Sequence, residues 1–316
     1  MNFKQILQQL DVLAVCKRYG LSLWQCPQFL FLVMGVVIIA TALITYALGT
    51  RYIADPVTVL LIVFALTIIL FILTFSITRS LEGLAEANRL KSEFISIVSH
   101  QLRSPLSNLK WALELLMSGR FGKIEGKQAE YMKILKDNTG RMGELVSDLL
   151  MVSRIEQGRL PLHKTEFSLI ELAQETIAEF KPIASASNVK IELDVLKDLL
   201  PKVFGDSSQL KLVIENFIDN AVRYTKDKGI VKVKIEQRNK KLYLSVKDEG
   251  VGIPKEDQKH IFQKFFRSSN VLKYQTRGSG LGLYIAKSVV ERSKGKIGFK
   301  SEENKGSTFW FTIPIK

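Results

Sequence analysis

His100 stands at the centre of Phe94–Leu106, which reads FISIVSHQLRSPL. It is one of three histidines in the chain, and the one inside a strongly patterned helix. Helical spacing puts Glu93, Ser96, His100, Arg103, Ser104 and Ser107 on a polar stripe, with Phe94, Val98, Leu102, Pro105, Leu109 and Leu113 on the other side. An imidazole on the solvent stripe has nitrogens free to act as ligand, base or nucleophile. Taken alone, such a histidine is more often an ordinary surface residue, so the rest of the chain must supply the chemistry.

Three further boxes could hold a nucleotide. In the segment 207–224, Asn216, Asn220 and Arg223 recur at i, i+4 and i+7, while Leu212, Val213, Phe217, Ile218 and Ala221 belong to a core. Two amides and a cation on one stripe are poor packing residues. An amide oxygen can hold Mg²⁺, and a guanidinium suits phosphate. Next, DEGVGIP follows a strand pattern. Asp248 at the strand end can accept from an exocyclic amine such as that of adenine, and Gly250 and Gly252 let backbone approach a ligand. Then Arg277–Leu283 reads RGSGLGL and leads into a helix. Glycines before a helix N-terminus cradle phosphate with backbone N–H groups and the helix dipole. No Gly-Lys-Ser/Thr follows, so this is not a Walker loop, and the spacing is not the dinucleotide fingerprint. Between the two glycine boxes, Ile261–Arg267 (IFQKFFR) and the polar stretch 268–279 suggest apolar anchors followed by a lid. Each piece also reads as loop or core; the joint order is the specific signal.

The elements that must position these residues follow from periodicity. Residues 1–28 hold Ile6, Leu10, Leu13 and Ala14 at helical spacing among cations, as in an amphipathic segment on a lipid surface. Residues 29–48 and 57–77 carry no charge. Each is long enough to cross a hydrocarbon core of ~30 Å as a helix, which predicts a transmembrane hairpin, 29–77. Lys4, Lys17 and Arg18 precede it, and Arg79, Arg89 and Lys91 follow. The positive-inside rule therefore puts both termini in the cytoplasm of a two-span inner or plasma membrane protein. The eight residues between the spans leave no room for an external sensory domain. The stimulus would then arrive within the bilayer, through the N-terminal segment or by way of a membrane sensor partner.

Residues 78–92 read as a helical connector running into the His100 helix, which extends to about residue 118 with a kink expected at Pro105. Gly119–Gly126 breaks it. A second helix to about Gln157 carries Tyr131, Leu135, Met142, Leu145, Leu149 and Val152 in steps of three and four, a heptad seam with Asn138 in one slot. An antiparallel hairpin over 85–157 with one bare apolar face predicts a homodimeric four-helix bundle.

Beyond a linker at Gly158–Lys164 the pattern changes. Ser168 with Glu171 is a capping box opening a helix to about Phe180. Val189–Val195 alternates as a strand, and Asp206 with Gln209 starts a helix to about Tyr224. Ile230–Gln237 and Lys241–Lys247 are strands, Gly280–Glu291 a helix, and Lys296–Lys300 and Thr308–Ile315 strands. The order over 162–316 predicts an α/β sandwich: one largely antiparallel sheet with helices on one face.

Bulk properties narrow the classes. The net charge of +14 fits nucleic acid, but Lys and Arg are spread out and no nucleic-acid motif is present. A basic protein beside anionic lipid with a triphosphate ligand explains the charge equally well. Cys16 and Cys26 form no metal-ligand spacing and are expected as free thiols.

The order of His-centred box, asparagine box, aspartate–glycine box, phenylalanine box and second glycine box resembles bacterial membrane sensor histidine kinases over about 85–316. The resemblance implies a dimerisation and phosphoacceptor bundle (85–157) and a catalytic ATP-binding domain of the Bergerat fold (162–316). It implies His100 as phosphoacceptor, Asn220 as Mg²⁺ ligand with Asn216 one turn before it, Arg223 on phosphate and Tyr224 flanking adenine. It further implies Asp248 as adenine reader and Gly250, Gly252, Gly278, Gly280, Leu281 and Gly282 as the nucleotide cradle. Arg267 then lies near the γ-phosphate and Thr308 near the base. ATP, Mg²⁺ and a separate response regulator chain are the implied ligands and partner.

Two details qualify the chemistry. Relatives that hydrolyse ATP, such as gyrases and heat-shock chaperones, place a water-activating Glu four residues before the Mg²⁺-binding Asn. Here that position is Asn216, and Glu215 is about 100° round the helix, which favours a protein nucleophile over water. The family usually has an acidic residue after the histidine; here it is Gln101, which takes no proton. Ser104, four residues on, keeps a hydroxyl where the family positions water to dephosphorylate the partner. Gln101 leaves open an alternative: a kinase-weak ATP-binding scaffold or predominantly a phosphatase.

Overall fold

The computed structural model describes residues 27–120, 122, 124–158, 160, 162–195, 200–225, 228–268 and 278–315. The amphipathic reading of 1–28 falls almost wholly outside them, as do both cysteines and most of the lid. Contacts divide the chain into two compact units, with the main boundary between Val98 and Ser99.

The first unit is a helical hairpin. Helix α1 (Pro27–Tyr52) and the start of α2 (Pro56–Met117) flank a tight turn. Asp55 caps α2: its carboxylate accepts from the Val57 and Thr58 amides, both at 3.2 Å. Gly49 faces Val59 closely, since a methyl there would lie 2.7 Å from Val59 Cγ1. Deeper in the pair, Phe31 and Phe71 meet edge to face at 6.5 Å. Both helices are long and apolar enough to cross a membrane. They are apolar all round and mostly exposed, with Leu43 and Phe64 each at 65%, a surface that suits hydrocarbon better than water.

Helix α2 has 62 residues, roughly 90 Å at 1.5 Å per residue. The expected connector 78–92 is therefore part of one helix that carries the chain from the hairpin through His100. It continues unbroken through Pro105.

In the second unit the rest of α2 is followed by α3 (Lys127–Glu156). Their buried positions run in heptad lines: Ser99, Leu106 and Leu113 on α2, and Val146 and Ser153 on α3. The seam read from sequence lies on a neighbouring line. Tyr131, Leu135, Met142 and Leu145 are exposed in the single chain, and only Val152 at its end is buried. A hairpin uses one line of each helix against itself and leaves the next line for another surface.

The α/β part contains β1 (Thr165–Phe167), α4 (Leu169–Ala186), β2 (Val189–Val195), β3 (Val203–Gly205), α5 (Ser207–Tyr224), β4 (Gly229–Arg238), β5 (Lys241–Lys247), α6 (Gly282–Arg292), β6 (Lys296–Glu302) and β7 (Gly306–Pro314). The main sheet has the order β2-β4-β5-β7-β6. Only β2 and β4 run parallel; the other three pairs are antiparallel. Both expected caps form: Ser168 Oγ accepts from the Glu171 amide, and Asp206 Oδ1 from the Gln209 amide at 3.1 Å. Helix α4 runs past Phe180 through Pro182, because its Ile177 and Ala184 continue into the core on the same face. The β1–β3 pair, three residues per strand, is too short to show a period. Leu210, Val213, Ile214, Phe217 and Ile218 of α5 are fully buried against Leu242, Leu244, Phe311 and their neighbours. That core presents one edge of α5, with Asn216, Asn220 and Arg223, to the site.

Candidate active site

Asp248 ends β5 and is buried at 4% exposure. Its Oδ1 accepts from the amides of Gly250 at 2.9 Å and Ser307 at 3.1 Å. Both bonds use one oxygen and leave Oδ2 as the remaining acceptor, as an adenine amine requires. Burial pushes the carboxyl up to about 6, against the pull of those backbone bonds.

Ser307 is a residue that sequence reading missed. Along β7, Phe309, Phe311 and Ile313 face the core, and Ser307 shares their parity. Thr308 has the other parity: it is paired with Lys247 and Lys300 across the sheet. Ser307, whose amide bonds Asp248, therefore joins the expected Thr308 in lining the concavity beside Asp248. Strand alternation, counted back from the three core residues, was the available signal.

Asn216, Asn220 and Arg223 share the half-buried edge of α5. Asn216 Nδ2 donates to the Leu212 carbonyl at 2.8 Å, so its oxygen points away from its own helix. That oxygen meets the second glycine box: a methyl on Gly282 would lie 1.9 Å from Asn216 Oδ1. Arg223 pairs with Asp219 at 2.6 Å, and its guanidinium lies beside Gly278. The Tyr224 phenol is pushed up by burial and pulled back by the Arg223 and Arg267 charges, which brings Arg267 to the same corner. Asparagine box, second glycine box and Arg267 thus meet in space, although up to 66 residues separate Asn216 from Gly282.

The glycines also have a packing reason that the sequence does not show. A methyl on Gly250 would sit 2.3 Å from the Tyr224 carbonyl oxygen, and one on Gly252 2.0 Å from the Glu302 carbonyl oxygen. Gly280 is likewise pressed on Phe265. These positions are small so that one box can pack on the next, which shapes the pocket wall. At Leu281 the side chain is fully buried in the core, so only its backbone is available to a ligand. Its amide donates to Ser279 Oγ at 3.2 Å.

Ser279 reaches further. Its hydroxyl donates to Asp148 on α3 at 2.8 Å, and burial raises the Asp148 carboxyl above its ordinary range despite that bond. At the other end of α6, Arg292 donates to the carbonyls of Leu160 and Ile155. The glycine-box helix is thus tied at both ends to the end of the bundle hairpin, a connection no local pattern announces.

His100, Gln101 and Ser104 are all exposed on α2. Glu215, one residue from Asn216, senses Lys211 and Glu179 and is pushed up mainly by burial. It faces α4 and not the asparagine stripe, as the 100° offset requires.

Comparison with known proteins agrees with this arrangement. Residues 90–158 match the His Kinase A (phospho-acceptor) domain, and residues 205–316 match the family of histidine kinase-, DNA gyrase B- and HSP90-like ATPases. A phosphoacceptor hairpin joined to such an ATPase domain is the module pair of a histidine kinase. The chain belongs to the bacterial two-component sensor histidine kinases. It is 34% identical over 229 residues to the circadian input-output histidine kinase CikA of Synechococcus elongatus, covering 72% of this chain and 30% of that one. It is 30% identical over 235 residues to the signal transduction histidine-protein kinase BarA of Escherichia coli K12, covering 73% and 25%. Among solved structures, full-length ShkA in complex with AMPPNP superposes with a TM-score of 0.59 at 26% identity, covering 70% of this chain and 45% of that one. The chain spans between a quarter and a third of the length of these curated relatives.

Proposed function

We propose that this chain is a membrane-anchored homodimeric kinase that transfers the γ-phosphoryl group of ATP to His100, and from there to an aspartate of a separate response regulator. One observation carries the reading. The α5 edge with Asn220 and Arg223, joined to the Asp248 turn where Gly250 packs on the Tyr224 carbonyl, has an amide, Asn216, where a water-activating carboxylate would stand, and the same chain offers an exposed imidazole on a helix. In the step, the bond from the γ-phosphorus to the bridging oxygen breaks and leaves ADP, a P–N bond forms at the imidazole, and the imidazole proton passes to solvent. Gln101 takes no proton, but a neutral imidazole nitrogen attacks with its own lone pair. Positioning and charge stabilisation dominate such transfers, and Arg223 and Arg267 supply the cationic corner.

A divalent ion fits the donor set. Among the described residues no cluster of three His, Cys, Asp or Glu exists, so the site offers no all-protein cage. One amide oxygen, from Asn220, together with the oxygens of a nucleotide, is a suitable shell for Mg²⁺. When bound, the ion would neutralise charge on the phosphate oxygens.

The exposed line Tyr131, Leu135, Met142 and Leu145 supports a second copy as the bundle partner; the apolar α1–α2 hairpin supports two membrane spans, and the flanking Lys and Arg support cytoplasmic termini. Gln101 supports a second reading, in which ATP binding is retained but phosphatase or scaffold action dominates. Incubating the full chain in detergent micelles with γ-labelled ATP and Mg²⁺ separates the readings. The kinase yields an acid-labile, base-stable label on the chain. Steady phosphate release with no labelled chain supports an ATPase, and binding without either supports the scaffold.

A further inference from the structure

The nucleotide chemistry occupies the helix-covered side of the main sheet and leaves the opposite face unexplained. That face collects cations. Lys232 on β4 is directly opposite Lys247 on β5; Lys247 is opposite Thr308, and Thr308 is opposite Lys300 on β6. Like charges directly opposed weaken a sheet, and the Lys232–Lys247 pair adds to a face on which cations outnumber acids. Lys296 lies four residues before Lys300, at the start of β6, and Lys241 at the start of β5. Among the described residues none of these five has an ion pair, although Glu192 lies directly across from Lys232 and Asp194 on the same face has no ion pair either; most of the other acids on this face are paired. Glu192 holds Lys190, Glu236 holds Lys234 and Arg238, and Glu302 holds Lys305.

The centre of the face is aromatic but closed. Tyr243 and Trp310 stack at 5.8 Å, the Arg238 guanidinium covers the Tyr243 ring at 3.6 Å, and Trp310 lies on Gly298. The Tyr243 ring is thus covered on both sides, so no aromatic platform stands open for nucleobases to stack on. The free cations are lysines, point charges without the planar fork that selects a particular carboxylate or phosphate. A flat field of such charges matches a fluid anionic surface.

We propose that this open sheet face docks on the anionic headgroups of a lipid bilayer. The proposal rests on the membrane-anchored reading above, in which the apolar hairpin of the same chain tethers it to a bilayer. It gives part of the +14 net charge a role without nucleic acid. It also leaves the opposite, helix-covered side, with Asn216, Asn220 and Arg223, turned away from lipid.

The test uses the full chain in nanodiscs of phosphatidylcholine alone or with about one third phosphatidylglycerol, where attraction of order 1 kcal/mol per lysine is expected. Lysine acylation read by mass spectrometry reports each site. Lys232, Lys247 and Lys300 should label several-fold more slowly in the anionic discs, and salt near 1 M, where the screening length falls to about 3 Å, should abolish the difference. Lys133 on α3 serves as the control. Changing Lys232→Glu, Lys296→Glu and Lys300→Glu together should remove the protection of Lys247 while nucleotide binding reports an intact fold. Equal labelling in both discs, with the chain retained in them, overturns the docking and spares the anchoring. A chain that elutes from the discs overturns both. Protection by single-stranded DNA or an acidic protein in neutral discs, with none from anionic lipid, assigns the face to another anion and overturns the proposal.

Discussion

Helix α5 and helix α3 both carry apolar stripes, and the two stripes meet opposite fates. On α5, Leu210, Val213, Ile214, Phe217 and Ile218 are fully buried within one chain. On α3, Tyr131 stays 65% exposed and Met142 53% exposed. The ATP-binding domain completes its core from its own sequence, down to glycines that exist so that one loop can touch the next. The hairpin that carries His100 does not complete its core. On the proposed reading, nucleotide recognition needs one chain and phosphoryl acceptance a second copy.

The largest effect should come from the exposed line. Leu135→Glu with Met142→Glu puts two charges per chain into the expected bundle interior. Losing two buried side chains of about 2 kcal/mol each should raise the dimer dissociation constant by at least ~100-fold, read by analytical ultracentrifugation, with ATP affinity unchanged. An intact dimer would remove the contrast. Phe217→Ala is the mirror experiment: it should cost about 3–5 kcal/mol of unfolding free energy in the ATP-binding domain, measured by denaturant titration, and leave association intact.

Asp248 sharpens the domain side of the contrast through pH. Its carboxyl, pushed up to about 6 by burial, sits above the unfolded value near 3.9. The folded state therefore holds its proton more tightly, and burial of the charge costs stability above pH 6. As pH falls through about 6 toward 4, this contribution to stability recovers while the acceptor for adenine is lost. Calorimetry should show ATP affinity falling by up to about tenfold per pH unit there, and Asp248→Asn should bind weakly at every pH. The smallest effect belongs to the α5 cap. Burial raises the Asp206 carboxyl, but bonds from Ser208, Gln209 and His163 outweigh it and hold it below its ordinary range. Its stabilisation is present above the unfolded carboxylate range and is lost as pH falls through the depressed value. Asp206→Ala should cost about 1–2 kcal/mol and flatten that acid limb in thermal melts.

Much of this was legible in the sequence because local chemistry dictated it. The strand Val189–Val195 and the caps at Ser168 and Asp206 announce themselves within a few residues. The joint order of the boxes carries the site. What stayed hidden depends on tertiary placement. Parity along β7 singles out Ser307 only once Phe309 and Phe311 are known to face inward. The contact from Ser279 to Asp148 joins positions 131 residues apart. A heptad pattern on α3 shows that an apolar seam exists, yet not which line closes the hairpin and which waits for a second chain.

The central claim is that His100 receives the phosphoryl group. Full-length protein and its His100→Gln variant, incubated with γ-labelled ATP and Mg²⁺, test it directly. The account predicts an acid-labile label on the first, none on the second, and equal nucleotide affinity in both. A label retained by the variant would contradict it.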